Sequence, residues 1–144
     1  MSERTLAAVD GVTRAYGGVP VLDEVSLSVG TGVTAVVGPN GSGKSTLLGV
    51  LAGAVEPTEG TVSYPHGGPR EGSEKRVGYL PQRVPFRDGF TARETLGFYA
   101  ALVDGDRDAA LAAVGLADAA DKRVADLSGG MRRLLGIAQA TLGD

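Results

Sequence analysis

Eight consecutive residues carry the clearest chemistry in this chain: Gly38-Pro39-Asn40-Gly41-Ser42-Gly43-Lys44-Ser45. Their glycines let the backbone turn successive N–H groups inward, where no side chain blocks them. Such a concavity cradles phosphate oxygens. A helix opening at Lys44 would add the partial positive charge of its N-terminus. The Lys44 ammonium could then reach the β and γ phosphates of a nucleotide, and the Ser45 hydroxyl could ligate Mg²⁺. Thr46 follows at the same helix start. The run fits G-x-x-x-x-G-K-[ST], the P-loop pattern. A glycine turn with an incidental lysine is the plainer alternative. The flanks argue against it, since a strand-like apolar run precedes the octapeptide and a helical stripe follows.

A second constellation is Leu127-Ser128-Gly129-Gly130-Met131. A serine hydroxyl, two bare glycine N–H groups and a helix N-terminus make a second anion site. Taken alone, an ordinary serine N-cap would explain it. Standing in order behind a P-loop, it asks for more.

These groups need elements to hold them. Thr5 to Val9 and Val21 to Val29 read as strands about a turn at Gly17–Gly18. Val33 to Val37 is apolar on both faces, like the buried centre of a parallel sheet. Leu47, Leu48, Leu51 and Val55 then recur at helical spacing, which predicts a helix from Lys44 to about Ala54 packed on that strand. Gly60 to Tyr64 reads as a short strand, Pro65 to Ser73 as a loop, and Arg76 to Leu80 as a strand stopped by Pro81. Thr91 and Glu94 form a capping box before the stripe Leu96, Tyr99, Ala100, Val103. Asp106 caps a short helix that Gly115 ends, and Ser128 caps the last one. There Met131, Leu134, Leu135 and Ala138 should face inward, with Arg132, Arg133 and Gln139 outward.

Composition narrows the functions. The chain has 144 residues, 42% hydrophobic and 22% charged, which suits one folded domain or part of one. Fourteen basic against seventeen acidic residues leave a net charge of −3, with no basic excess for a nucleic acid. The absence of cysteine removes disulfides, thiolate metal sites and cysteine nucleophiles. A single histidine, His66, cannot build a multi-histidine metal site and reads as a solvated loop residue. The start, Met1 to Asp10, lacks a signal-peptide pattern, and the richest apolar stretch, Leu47 to Val55, is far short of a membrane span. Eight of the twenty-three glycines cluster at Gly38 to Gly43, Gly67 to Gly72 and Gly129–Gly130, where they mark tight turns or close approaches.

From near Thr5 to its last residue the chain resembles the ATP-binding cassette (ABC) family. The Leu-Ser-Gly-Gly run at Leu127 to Gly130 is similar to that family's signature motif, with Met131 where glutamine is commonest. Tyr16 resembles the aromatic residue that stacks on adenine. Gly78-Tyr79-Leu80-Pro81-Gln82 resembles the run into the Q-loop, with Gln82 the glutamine that senses Mg²⁺ and the γ-phosphate. Gly129 to Ala140 is similar to the same helix in exporter-type ATPases. The resemblance implies an α/β P-loop fold with an antiparallel β N-terminal subdomain and a helical subdomain. Residues 1–144 would be one partial ATP-binding domain: β subdomain and P-loop core over about 1–82, helical subdomain with the signature over about 83–144. It implies ATP and Mg²⁺ as cofactors, with Gly38, Pro39, Asn40, Gly41, Ser42, Gly43, Lys44, Ser45, Thr46 and Gln82 around the nucleotide. Two such domains would meet head to tail, and Ser128, Gly129 and Gly130 would serve the nucleotide of the second domain. A membrane-spanning transporter subunit is the further partner implied, placing the chain in the cytoplasm on the inner face of the membrane.

The chain also departs from the family. That family follows the signature helix with an apolar strand ending in Asp-Glu, and then a histidine at the γ-phosphate. No run of four apolar residues leads into an Asp-Glu pair here, Asp144 matches the loop before that strand, and His66 stands in the wrong place. The resemblance therefore implies missing C-terminal core strands and negligible hydrolysis by these residues alone. Val33 to Val37 would lose its sheet neighbours, and the isolated chain is expected to be unstable or to aggregate. An ATP-binding transporter subunit is the leading function. A soluble ABC ATPase, a non-hydrolytic nucleotide-binding remnant and another P-loop enzyme such as a small kinase are the alternatives.

Overall fold

The computed structural model describes residues 4–71, 74–75 and 77–143. The chain divides into two compact units, Met1–Pro69 and Arg70–Asp144.

In the first unit, β1 (Ala7–Tyr16) and β2 (Val19–Val29) form an antiparallel hairpin turning at Gly17 and Gly18, both at positive φ. The register pairs Ala7 with Val29, Arg14 with Leu22 and Tyr16 with Val19. Strand β3 (Glu59–Ser63) lies antiparallel on the other edge of β1, giving the order β2-β1-β3. The hairpin is longer than the sequence pattern predicts. Polar residues Asp10, Thr13 and Arg14 mask the alternation, and a register shift between Val9 and Val12 breaks its period. Helix α1 (Lys44–Leu51) packs on this sheet through Val50, which joins Val9, Val12 and Leu22 in a small buried core. Eight residues are too few for a stable isolated helix. Tertiary contacts supply the rest, including the Tyr64 hydroxyl, which donates to the Leu51 carbonyl at 3.0 Å. Burial pushes the Tyr64 phenol above its ordinary pKa.

Two expectations fail in this unit. Val33 to Val37 is not a strand, and Val33 and Val37 are 102% and 87% exposed. A strand apolar on both faces needs a neighbour at each edge and a layer on each side. The described strands β1, β2 and β3 pair with one another and with nothing in that run. Helix α1 accordingly rests on the antiparallel sheet instead, ends at Leu51 rather than near Ala54, and leaves Leu48 46% exposed.

The second unit is helical, with a two-residue ladder between β4 (Arg70–Glu71) and β5 (Glu74–Lys75). Helices α2 (Ala92–Val103), α3 (Arg107–Ala113) and α4 (Gly129–Thr141) surround a core of Leu96, Leu111, Val124, Leu135 and Leu142. Each helix starts where its cap predicts. The Thr91 N–H donates to Glu94 Oε2 at 2.9 Å and the Glu94 N–H donates to Thr91 Oγ1 at 3.1 Å, a complete capping box. Asp106 accepts from the Asp108 and Ala109 N–H groups at 3.0 Å each. Leu134 departs from the expected inward stripe and is 37% exposed.

The predicted strand from Arg76 to Leu80 is also absent. Arg76 lies outside the described residues, as do Gly72 and Ser73 of the predicted loop and Asp144, and Val77 to Leu80 is irregular. This stretch runs instead along α4. Gly78 lies so close to the Ala140 carbonyl that no Cβ would fit, and a Cβ added at Gly136 would stand 2.6 Å from Leu80. No helix among the described residues is long and apolar enough to cross a membrane.

The exposed valines make a prediction about solubility. Val37→Asp should reduce light scattering by the purified chain without loss of helical circular dichroism, because the side chain touches no core. Loss of helicity would show that Val37 is packed.

Candidate functional site

The P-loop is built from backbone. Ser42 closes a turn by donating its N–H and its Oγ hydroxyl to the Pro39 carbonyl, at 3.2 and 2.7 Å. Gly41 and Gly43 hold φ of 82° and 91°, in the left-handed region that side chains resist. Gly43 is the N-cap of α1, and no side chain caps the helix there. The N–H groups of Lys44, Ser45 and Thr46 fall in the first turn, where a helix offers its own donors no partner. They point from the end of α1 with its dipole behind them. Ser45 is exposed and Thr46 half-buried. Lys44 spans the loop: its ammonium donates to the Gly38 and Pro39 carbonyls at 2.7 Å each, with Ser42 Oγ at 3.4 Å.

Gly43 also ties the loop to the sheet. A Cβ there would stand 2.8 Å from the Val21 carbonyl oxygen and 3.0 Å from Leu22 Cδ2. Leu22 is the ladder partner of Arg14, two residues before Tyr16. The turn end of the hairpin therefore lies beside the P-loop. Tyr16 is 48% exposed, and the Arg14 guanidinium carbon sits 4.5 Å from its ring centroid. Sequence reasoning missed Arg14. Its signal was the two-residue period of β1, which puts Arg14 and Tyr16 on one face.

In the second unit, Ser128 adopts an extended conformation and its Oγ accepts from the Met131 N–H at 3.1 Å. Gly129 and Gly130 open α4, and a Cβ added at Gly129 would meet nothing within 4 Å. The backbone at this helix start is thus open to approach. Arg132 and Arg133 face outward as expected, yet both are engaged. Arg133 donates to the Pro81 carbonyl at 3.1 Å and the Gln82 carbonyl at 3.5 Å. Arg132 pairs with Asp88 and donates to the Val124 carbonyl at 3.2 Å. The segment carrying Gln82, whose side chain is exposed, is so fastened to the helix that begins at Gly129. Of the sequence-predicted residues, Tyr16 and Gly38 to Thr46 belong to the first unit, and Gln82 and Ser128 to Gly130 to the second. His66 is exposed in a turn.

The first of these sites suits a polyphosphate, with donors from the loop and α1 and a cation from Lys44. A family model for ABC transporters matches residues 22–144. The chain belongs to the ABC transporter family. Its fold is part of the ABC ATPase P-loop fold, and membership implies ATP as the ligand. It is 35% identical over 142 residues to the zinc import ATP-binding protein ZnuC of Roseobacter denitrificans, covering 96% of this chain and 53% of that protein. It is 39% identical to the cytochrome c biogenesis ATP-binding export protein CcmA of Rhodobacter capsulatus, covering 94% and 60%. Against the Nod factor export ATP-binding protein I of Mesorhizobium japonicum the identity is 37%, covering 95% and 44%. The solved structure of an ATP binding subunit of an ABC transporter superposes with a TM-score of 0.73 at 24% identity, over 94% of this chain and 61% of that one. The chain spans about half the length of the curated relatives it matches.

Two glycines at helix starts should respond unequally to alanine. Gly43→Ala should destabilise the first unit by about 1–3 kcal/mol, from positive φ and the Val21 carbonyl. Gly129→Ala should stay within about 0.5 kcal/mol, having open space around it. Thermal unfolding of the two variants checks this, and equal losses would contradict the geometry.

Proposed function

We propose that these residues form the nucleotide-binding part of an ATP-binding subunit of an ABC transporter. The observation that carries this is the P-loop: left-handed glycines, an uncapped α1 and Lys44 held across the loop mouth. In this reading Lys44 and the N–H groups of Gly41 and Gly43 to Thr46, with Gly38, Pro39, Asn40 and Ser42 shaping the turn, hold the phosphates of ATP. Ser45 would hold Mg²⁺, which would lower the charge repulsion around the γ-phosphate, and the family resemblance assigns Gln82 to sensing that ion. Tyr16 stacks on the base. Ser128, Gly129 and Gly130 approach the nucleotide of a second ATP-binding domain, head to tail, so that ATP joins the dimer.

ABC ATP-binding subunits generally pair with membrane subunits, and the relatives serve unlike cargoes, zinc, Nod factor and cytochrome c biogenesis, at 35–39% identity. Equal similarity to such different proteins supports a shared motor whose cargo a membrane-spanning partner selects. On this view that partner seats on the second unit. A groove of about 360 Å³ there is lined by Pro85, Phe86, Phe90, Phe98 and Tyr99 together with Arg87 and Thr95, and Phe98 is 62% exposed. In this reading the chain works at the cytoplasmic face of the membrane. Water activation is assigned to residues other than these, because the sequence holds no apolar run ending in Asp-Glu.

Titration calorimetry with Mg-ATP tests the central claim. The chain should bind, and Lys44→Ala should weaken binding about ten-fold or more, the worth of a charge-assisted hydrogen bond. Phosphate release should stay at background. Unchanged affinity in Lys44→Ala would remove the P-loop assignment.

A further inference from the structure

We propose that Arg14 is a positioning residue for the nucleobase, holding the Tyr16 ring as a fixed, polarised shelf. The proposal rests on the base-stacking role given to Tyr16 above and adds the group that makes that role selective.

Arg14 stands where three parts of the first unit meet. Its guanidinium carbon lies 4.5 Å from the Tyr16 ring centroid, well inside the range of a cation–π contact. Its NH1 group donates to the Glu56 carbonyl at 3.0 Å, in the connection between α1 and β3. Its ladder partner Leu22 abuts Gly43 at the head of α1. The guanidinium is thus tied to the connection that follows the P-loop helix, its backbone is paired to the strand beside the head of that helix, and it packs on the ring.

The arginine is held at a cost. Its Nε is buried without a hydrogen-bond partner, a desolvated donor that a methionine would not bring. What arginine adds over an apolar side chain is charge against the ring. A cation on one face draws π density toward itself and leaves the far face less negative. The remaining exposure of Tyr16, 48%, is left to that far face and the edge. An electron-rich purine stacks better on such a face. A ring already fixed in orientation also loses less freedom when the base arrives.

The test uses the full chain and two probes, ATP and inorganic tripolyphosphate, which carries the anionic chain without a base. The readout is the ratio of their dissociation constants, which a general loss of structure would not shift toward either probe. Arg14→Met should weaken ATP about three-fold and leave tripolyphosphate unchanged. Arg14→Lys, which keeps a cation at the ring, should recover most of the preference. Tyr16→Ala should lower ATP affinity about ten-fold, and adding Arg14→Met to it should change nothing more. An unaltered ratio in Arg14→Met, or equal weakening of both probes, overturns the proposal. So does a lysine variant no better than methionine, which would leave shape rather than charge as the cause. If Tyr16→Ala itself keeps the ratio, the base-stacking role fails, and that outcome is distinct from a failure of Arg14 alone.

Discussion

The first unit depends on one backbone position that has no side chain. Gly43, at φ 91° against the Val21 carbonyl, lets the chain leave the loop and enter α1. A serine or aspartate cap, elsewhere worth about 1 kcal/mol, has neither the backbone conformation nor the room for its Cβ at this position. It would also occupy the N–H groups that a phosphate needs. The three other α-helices described are capped, by Thr91, Asp106 and Ser128. Helix α1 forgoes a cap at its functional end and is secured elsewhere, by buried Val50 and by the Tyr64 hydroxyl on its last carbonyls. Stability and binding are separated along a helix of eight residues.

What the sequence made legible was mostly local. Helix caps, the glycine hairpin turn and the octapeptide each act within a few residues, and each lies where its pattern implies. Val33 to Val37 shows the limit. Its apolar residues predict a buried strand, but burial is a property of neighbours, and the described strands pair elsewhere. Val77 to Leu80 fails for the same reason and lies along α4, where Gly78 and Gly136 leave room for it. Leu48 and Leu134 were assigned to apolar stripes whose width the surrounding elements do not cover.

The site divides along the same line. Backbone chemistry can be read from glycines, but Arg14 and Arg133 act through carbonyls far away in sequence. Arg133 reaches Pro81 and Gln82 across about fifty positions, and Arg14 reaches Glu56 across forty-two. An outward-facing arginine on a helix is ordinarily a solvated one. Here the outward face of α4 is where the segment carrying Gln82 is held, so a displacement of that helix must carry Gln82 with it.

In the proposed reading, Lys44 and Ser128 keep a polar group ready for an anion in two different ways. Lys44 spends donors on the Gly38 and Pro39 carbonyls. To engage a phosphate it must exchange neutral acceptors for charged ones, and the exchange gains the attraction between the ammonium and a phosphate charge. Ser128 needs no exchange. Its Oγ accepts from the Met131 N–H, which fixes the hydroxyl as a cap and leaves its O–H free to donate. With Gly129 offering no side chain in the way, the helix start can add its own N–H groups at once. A loop that must release a lysine and a cap already facing outward differ in what each must rearrange before it meets the same kind of ligand.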